Sequence, residues 1–247
     1  MEKVTFGLVG KNISYSFSRG YFKKKFESME LKNHHYVNFD LQEITLLRDI
    51  IKARQDGLNG MNVTIPYKQE VQPFLDEIDD DAKEIGAVNT IKFHKDGRVI
   101  GYNTDVYGFQ NSLKPFLKPH HKKALILGTG GASKAVAFAL KKLGINFKFV
   151  SRTAGHQNLT YEQLNQEIIK DHTVIVNCSP LGTFPDVHQK PNLPYDYITS
   201  KHLLFDLIYN PSETSFLRLG KQQGAEGING LHMLELQAEK SWDIWNS

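Results

Sequence analysis

The feature that most constrains the fold is a strand, a glycine turn and a helix in direct succession. An apolar run over 123–127 is followed by the turn and then by a helical pattern. The turn residues are Gly128, Thr129, Gly130, Gly131, Ala132 and Ser133. Glycines let the backbone approach a pyrophosphate, and the helix N-terminus offers N–H groups and the positive end of its dipole. The usual fingerprint ends in glycine, whereas this turn ends in Ser133. The setting between a strand and a helix nevertheless predicts a Rossmann-type unit in which all of these turn residues except Thr129 bind a dinucleotide.

The end of the next strand indicates which nicotinamide cofactor is bound. In NAD-binding units an acidic residue at this point holds the ribose 2′-hydroxyl. Here the strand over 146–150 is followed by Ser151, Arg152 and Thr153. A guanidinium beside two hydroxyls suits the additional 2′-phosphate of NADP. We therefore predict NADP(H) as the cofactor, and the alternative is an exposed surface arginine.

The first half of the chain alternates strands and helices. Strand patterns over 4–10, 36–39 and 58–63 are separated by helical patterns. This order predicts a mostly parallel α/β sheet with helices on both faces, and such sheets bind ligands beyond the carboxyl ends of their strands. Four ligand-type side chains follow these strand ends: Ser16, Ser18, Thr64 and Lys68.

The loop after the first strand is rich in hydroxyl groups. If it is extended, Ser14, Ser16 and Ser18 share one face and can hydrogen-bond a carboxylate. The alternative is a turn in which Ser18 caps the following helix.

Lys68 lies just past a proline that ends the third strand. Pro66 favours a new helical turn, so we expect Lys68 near a helix N-terminus. A cation there opposes the helix dipole, and stability gives no reason for it. We predict a half-buried proton donor and acceptor, and the alternative is a solvated surface lysine.

A hairpin signal at Asp96-Gly97 predicts a second cluster of polar groups. Asn89-Thr90 and Asn103-Thr104 stand at the far ends of its two arms, so the hairpin would bring both pairs together beside Asp105. Asp105 also precedes a helical pattern, and the local sequence supports an N-cap as well as a catalytic carboxylate.

Three further patterns complete the prediction. The acidic stretch over 71–85 is predicted to be helical, with a solvated turn over 76–81. The segment over 161–168 is predicted as a helix, and an apolar stripe predicts a last helix from 231 onward. Cys178, the single cysteine, lies in an apolar strand pattern and excludes an intrachain disulfide.

Composition limits the classes of function. A net charge of +3 in 247 residues gives no argument for nucleic-acid binding and is compatible with a small anionic ligand. No apolar run is long enough to span a bilayer, and no secretory leader or metal-ligand pattern is evident, so we expect a cytoplasmic protein without a metal.

Taken together, these patterns closely resemble the shikimate dehydrogenase family, whose NADP-dependent enzymes reduce 3-dehydroshikimate to shikimate in chorismate and aromatic amino acid biosynthesis. The resemblance spans nearly the whole chain. It is carried by residues 13–18, 62–68, 86–90, 103–105, 128–133, 151–153, 209–211 and 230–237.

The resemblance implies two domains and a set of site residues. Residues 1–106, joined by a C-terminal helix over 231–247 that packs back on them, would bind the substrate, and residues 107–230 would form the NADP-binding domain. Ser16 and Ser18 would hold the substrate carboxylate, and Lys68 with Asp105 would form the catalytic pair. The ring hydroxyls would be surrounded by Thr64, Asn89 and Gln237 beside the catalytic pair. The cleft near the nicotinamide would be lined by Tyr209, Gly230 and Met233.

Three alternatives remain open at this point. A quinate/shikimate dehydrogenase shares the lysine and aspartate and often uses NAD, and Arg152 argues against it. A methylenetetrahydrofolate dehydrogenase leaves the serine loop unexplained, and a non-catalytic NADPH sensor would have no need of both Lys68 and Asp105. The sequence is compatible with a monomer or a homodimer.

Overall fold

The computed structural model describes residues 2–14, 16–53, 57–155 and 158–247. The chain divides into two compact units. The first, unit 1, comprises Met1–Thr104 and Ala238–Ser247, and the second, unit 2, comprises Asp105–Gln237. The domain boundaries predicted from the sequence lie after residue 106 and before residue 231, whereas the two units of the structure meet after Thr104 and after Gln237.

Unit 1 is built on a mixed sheet of strand order β2-β1-β3-β5-β6-β4. Its elements are β1 (Val4–Gly10), α1 (Phe17–Ser28), β2 (His34–Asp40), a 3₁₀ turn (Ile44–Leu46), α2 (Leu47–Ala53), β3 (Leu58–Val63), a 3₁₀ turn (Gln72–Phe74), β4 (Glu77–Ile78), α3 (Asp80–Ile85), β5 (Thr90–Phe93) and β6 (Val99–Tyr102). Strand β1 runs parallel to β2 and β3, whereas β5 is antiparallel to β3 and β6. The predicted βαβαβ start and the hairpin are both confirmed.

The predicted helical stretch over 71–85 is confirmed only in part, as the 3₁₀ turn Gln72–Phe74 and as α3, and the predicted turn over 76–81 contains the strand β4 instead. Backbone N–H of Asp76 donates to the carbonyl of Val99 (2.9 Å), and the Asp76 carboxylate accepts from the Val99 N–H (2.8 Å). This pairing draws the segment into the sheet as β4, and α3 begins only after Asp79, whose side chain caps it. Contacts with a distant strand therefore override the local helical pattern.

The serine loop is not extended as far as Ser18. The N–H of Ser16 donates to the carbonyl of Ile13 (3.1 Å), which turns the chain, and α1 begins at Phe17. Ser16 therefore occupies the N-cap position, without a side-chain cap hydrogen bond, and Ser18 lies in the first helical turn. Both the common face of the serines and the cap at Ser18 are wrong, and Tyr15 lies outside the described residues.

Unit 2 is built on a parallel sheet of strand order β12-β11-β10-β7-β8-β9. Its elements are α4 (Asp105–Leu113), a 3₁₀ turn (Lys114–Phe116), β7 (Lys123–Leu127), α5 (Gly131–Lys142), β8 (Asn146–Ser151), β9 (Asn158–Thr160), a 3₁₀ turn (Tyr161–Gln163), α6 (Gln166–Asp171), β10 (Val174–Asn177), a 3₁₀ turn (Tyr195–Tyr197), β11 (Leu203–Asp206), α7 (Ser215–Gln222), β12 (Glu226–Ile228) and α8 (Leu231–Asn246). The chain order reverses between β7 and β10, which is the topological switch point of a doubly wound Rossmann sheet. The predicted Rossmann-type fold is confirmed.

The predicted helix over 161–168 is interrupted. Thr160 and Gln163 form a capping box around a short 3₁₀ turn, and Asn165 then caps α6 by accepting from the N–H of Ile168 (2.9 Å). Two successive caps leave Leu164 between the turn and the helix.

The last helix begins in unit 2 and ends in unit 1, where its apolar face completes a core. Trp245 stacks on Phe6 at 4.6 Å between ring centroids, in a cluster that includes Phe22. The indole N–H of Trp245 donates to the carbonyl of Ile91 (2.9 Å). A Cβ at Gly60 would lie 2.2 Å from the indole nitrogen, so this strand position requires glycine. The predicted packing of the C-terminal helix on the first domain is confirmed.

No helix in the described part of the chain is long and apolar enough to cross a membrane.

Replacement of Trp245 is expected to destabilise unit 1 strongly. Trp245→Ala removes a buried ring and leaves a cavity, and it should lower the free energy of unfolding in urea by about 3–5 kcal/mol. Trp245→Phe keeps an aromatic ring but loses the bond to Ile91, and it should cost less. A loss below about 1 kcal/mol in Trp245→Ala would contradict this account of the core.

Candidate active site

Lys68 is half-buried on a turn that follows the end of β3. The N–H of Val71 donates to the carbonyl of Tyr67 (2.9 Å), and the carbonyl of Lys68 accepts from the N–H of Val88 (2.7 Å). A continuing helix would use that carbonyl for residue 72. The expected helix N-terminus is therefore wrong, because the segment before β5 takes the bond that would extend the helix.

Asn89 is buried at the start of the hairpin with its amide held in one orientation. Its Oδ1 accepts from the N–H of Thr104 (2.7 Å), from the Thr104 hydroxyl (3.1 Å) and from the Thr90 hydroxyl (3.0 Å). Because three donors surround Oδ1, Nδ2 points to the opposite side. The predicted approach of the two Asn-Thr pairs is confirmed, and the Asn103 amide donates to the carbonyl of Ala87 (2.9 Å).

A buried polar network lies behind Asn89, and sequence reasoning missed it. The Tyr36 hydroxyl donates to Oδ1 of Asn62 (2.8 Å). Nδ2 of Asn62 donates to the carbonyl of Asn89 (3.3 Å), to the Thr90 hydroxyl (3.2 Å) and to the Ser241 hydroxyl on α8 (2.9 Å). One available signal was the amide of Asn62 between two apolar residues of β3, Met61 and Val63.

The network extends to the serine loop. Burial raises the pKa of Tyr36, and a hydrogen bond between its hydroxyl and Ser18 acts in the opposite direction. Ser18 and Asn89, two of the predicted substrate residues, are therefore linked through Tyr36 and Asn62. Thr64 is half-buried beside this region, and its N–H donates to the carbonyl of Val9 (2.8 Å).

Asp105 is buried and is itself the first residue of α4. It therefore lies in the first helical turn, where a carboxylate interacts favourably with the helix dipole. It is not the N-cap residue, which would precede the helix.

In unit 2 the glycine turn has the geometry of a phosphate-binding loop. Gly128 has φ +110°, which only glycine adopts readily, and Gly130 precedes the first residue of α5. Apart from Gly130 and its two chain neighbours, no atom of the described residues lies within 4 Å of a Cβ built at Gly130, so there is room for a ligand beside it. The Ser133 side chain is buried, and its hydroxyl donates to the carbonyl of Gly130 (2.6 Å). Ser133 thus stabilises the turn from within, while Gly131 and Ala132 are half-buried at the helix start.

The predicted 2′-phosphate residues stand at the end of β8, whose last residue is Ser151 and which lies next to β7 in the sheet. Leu127 and Val150 are register partners near the ends of the two strands. Arg152 is exposed directly after β8, and the Thr153 N–H donates to the Ser151 hydroxyl (3.4 Å). Arg152 and the glycine turn therefore stand at the same carboxyl edge of the sheet, which fits an NADP-type dinucleotide.

Gly230 stands where the chain approaches the segment after β11. A Cβ on Gly230 would lie 2.1 Å from the carbonyl oxygen of Leu207, and its N–H donates to the carbonyl of Ile208 (3.0 Å). Tyr209 is half-buried on that segment. Met233 and Gln237 are buried on α8.

A second buried carboxylate, missed by sequence reasoning, lies at the end of β11. Asp206 is fully buried and accepts from Nδ2 of Asn177 (3.0 Å), from the N–H of Ile208 (3.1 Å) and from the Thr214 hydroxyl (2.5 Å). Burial raises its pKa to about 6, although the hydrogen bonds from Thr214, Ile208 and Asn177 act in the opposite direction. The signal in the sequence was an acid at the end of an apolar strand.

Asp206 should make stability depend on pH between about 4 and 6. In that range the folded state keeps a proton that the unfolded chain has released, so stability falls as pH rises. The difference between its usual value of 3.8 and about 6 corresponds to about 3 kcal/mol. Urea unfolding measured from pH 4 to pH 7 should show the free energy of unfolding of wild type falling by about this much relative to that of Asp206→Asn. An equal difference at every pH would contradict the raised pKa.

The comparisons with known proteins agree with these features. Residues 8–91 match the family model described as shikimate dehydrogenase substrate binding domain. The chain is 38% identical to shikimate dehydrogenase (NADP(+)) of Carboxydothermus hydrogenoformans, with 97% of this chain and 90% of that protein covered.

Two solved structures extend the similarity to the fold. One is shikimate 5-dehydrogenase from Thermus thermophilus in complex with NADP(H) and shikimate, with 30% identity, a TM-score of 0.86, and 98% of this chain and 93% of that chain covered. The other is quinate dehydrogenase from Corynebacterium glutamicum in complex with NAD, with 25% identity, a TM-score of 0.88, and 99% and 94% covered. On the sequence similarity over nearly its whole length, the chain belongs to the shikimate dehydrogenase family.

Proposed function

We propose that this protein catalyses the reversible NADPH-dependent reduction of 3-dehydroshikimate to shikimate, a step of chorismate and aromatic amino acid biosynthesis. The observation that carries the proposal is the residue content of the two units. Unit 1 combines half-buried Lys68 with the fixed amide of Asn89, and unit 2 is a doubly wound sheet with Arg152 beside the glycine turn.

The substrate that fits unit 1 is a small anionic ring carrying several hydroxyls. Hydroxyl and amide groups discriminate such rings because each unpaired buried polar group costs binding energy. We assign the carboxylate to Ser16 and Ser18. The remaining substrate contacts are assigned to Thr64, Asn89, Tyr209 and Gln237.

Bound NADPH supplies the hydride that reduces the ketone. The ammonium of Lys68 donates a proton to the forming alkoxide and offsets its charge, and in the reverse direction neutral Lys68 accepts the alcohol proton. Asp105 orients the ammonium and accepts a hydrogen bond from the reacting hydroxyl. The coupled pair, rather than either group alone, would then set the pH profile of turnover.

The cofactor would span the carboxyl edge of the second sheet. Gly128, Gly130, Gly131 and Ala132 would receive the pyrophosphate, with Ser133 supporting the turn. The 2′-phosphate is assigned to Ser151, Arg152 and Thr153. The nicotinamide end is assigned to Gly230 and Met233. Location in the cytoplasm and a monomeric or homodimeric state stay predictions.

An NAD-dependent quinate dehydrogenase is the second candidate, because the same fold occurs in the Corynebacterium enzyme. The fold does not separate the two activities. Arg152 favours the NADP-dependent one, since a guanidinium pairs with the 2′-phosphate that NAD lacks.

The first test follows nicotinamide absorbance with shikimate or quinate and NADP⁺ or NAD⁺. Shikimate with NADP⁺ should give the highest kcat/KM. Lys68→Met should lower kcat by about 10²–10⁴-fold, the usual contribution of acid-base catalysis, with unchanged shikimate binding by calorimetry. The control is Lys24→Met, an exposed lysine of α1, which should behave as wild type. Full activity of Lys68→Met would exclude its proton role, and NADPH binding without any turnover would favour the sensor.

Arg152 is tested separately through cofactor preference. Arg152→Gln should raise KM for NADP⁺ about 10- to 100-fold, because a charged hydrogen-bond partner contributes about 1.5–3 kcal/mol, and leave KM for NAD⁺ unchanged. Arg218→Gln, at an exposed arginine of α7, is the matched control. If quinate with NAD⁺ is turned over as well as shikimate with NADP⁺, the second candidate replaces the first.

A further inference from the structure

The buried carboxylate of Asp206 has no part in the proposed chemistry, yet it stands where three segments of unit 2 meet. Asn177 and Asp206 are register partners at the carboxyl ends of the adjacent parallel strands β10 and β11. The donors that surround the carboxylate come from β10, from the segment directly after β11, and from Thr214 at the N-cap of α7.

From Asp206 the hydrogen bonds continue into the segment after β10. Oδ1 of Asn177 accepts from the N–H of Ser179 (3.0 Å) and from its hydroxyl (2.6 Å), while Nδ2 is held by Asp206. The N–H of Leu207 donates to the carbonyl of Asn177 (3.0 Å). The two segments that leave the sheet edge are thus fixed to each other.

A second branch leads to residues assigned to the nicotinamide end. The N–H of Ile208 donates to Asp206, and the carbonyl of Ile208 accepts from the N–H of Gly230 (3.0 Å). Tyr209 follows Ile208 directly. Asp206 therefore fixes the backbone that carries Tyr209 and contacts Gly230.

The choice of a carboxylate is costly for stability. All three donors are neutral, and a buried charge without a cation is disfavoured. An amide at position 206 would keep one oxygen and present an N–H₂ group to one of the donors. An anion accepts from all three donors at once. It therefore holds their segments in place at this edge of the sheet, at a cost in stability.

The position of Asp206 in the sheet separates it from the adenosine side. Strands β10 and β11 lie on one side of β7, whereas β8, which carries Arg152, lies on the other. In doubly wound sheets the two halves of a dinucleotide bind on opposite sides of the switch point.

We propose that Asp206 is a positioning residue that shapes the nicotinamide-binding end of the cofactor site through Asn177, Ile208 and Thr214. The inference rests on the proposed NADP-dependent function. It assigns the residue no contact with the reacting atoms.

The test compares a complete cofactor with its adenosine half. Fluorescence or calorimetric titration with NADPH and with adenosine 2′,5′-bisphosphate is performed on wild type and Asp206→Asn. The variant should bind NADPH about tenfold more weakly, as expected for about 1.4 kcal/mol, and bind the bisphosphate within twofold of wild type. With turnover as a second readout, KM for NADP⁺ should rise.

A second pair of variants keeps the test valid if Asp206→Asn fails to fold. Thr214→Val removes one donor to the carboxylate and should weaken NADPH binding in the same selective way, whereas Thr214→Ser keeps the hydroxyl and should match wild type. Equal losses for both ligands, unchanged NADPH binding, or no NADPH binding by wild type would overturn the inference. Because the titrations need no turnover, failure of the shikimate assay alone would remove the proposed reaction and leave the role of Asp206 to be judged by binding.

Discussion

The side-chain amide of Asn62 is the interaction on which unit 1 depends. It joins Tyr36 of β2, the backbone at the start of β5 and Ser241 of the last helix in one buried network. Loss of the amide would remove four hydrogen bonds from this buried network, each contributing about 0.5–1.5 kcal/mol. The same network fixes Thr90, whose hydroxyl helps to orient Asn89. Stability of the sheet and alignment of a proposed substrate residue therefore come from the same bonds.

In unit 2 the buried side chain that joins several segments by hydrogen bonds is a carboxylate, Asp206, instead of an amide. Three donors meet the Asp206 carboxylate at the carboxyl edge of its sheet: one at the end of β10, one directly after β11 and one at the N-cap of α7. A neutral amide both donates and accepts, so it suits Asn62, which meets both kinds of partner. Asp206 meets donors only, and an anion is the side chain that accepts them all. The pKa raised to about 6 by burial reflects the cost of this arrangement.

The sequence predicted the parts of the structure that depend on local pattern. The strand at Val4–Gly10, the strand at Leu58–Val63 and the glycine turn all follow from short runs of residues. The prediction was wrong where a distant residue determines the structure, as at Asp76, which was predicted to begin a solvated turn and instead pairs with Val99. The polar network was missed for the same reason, because Asn62 and Ser241 are 179 residues apart and neither shows its partner locally.

The turn that carries Lys68 illustrates how such a distant contact can serve function. Local sequence suggested a helix at Lys68, but its carbonyl accepts from the N–H of Val88, the residue directly before Asn89. The carbonyl of Asn89 in turn accepts from the N–H of Val63 (2.8 Å), at the end of the strand that leads to Lys68. Two backbone hydrogen bonds thus connect the segment that carries Lys68, the proposed proton donor, with the segment that carries Asn89, the proposed ring-hydroxyl residue. A helix at Lys68 would have used that carbonyl internally, so the irregular turn is the conformation that ties the backbone at Lys68 to the backbone next to Asn89.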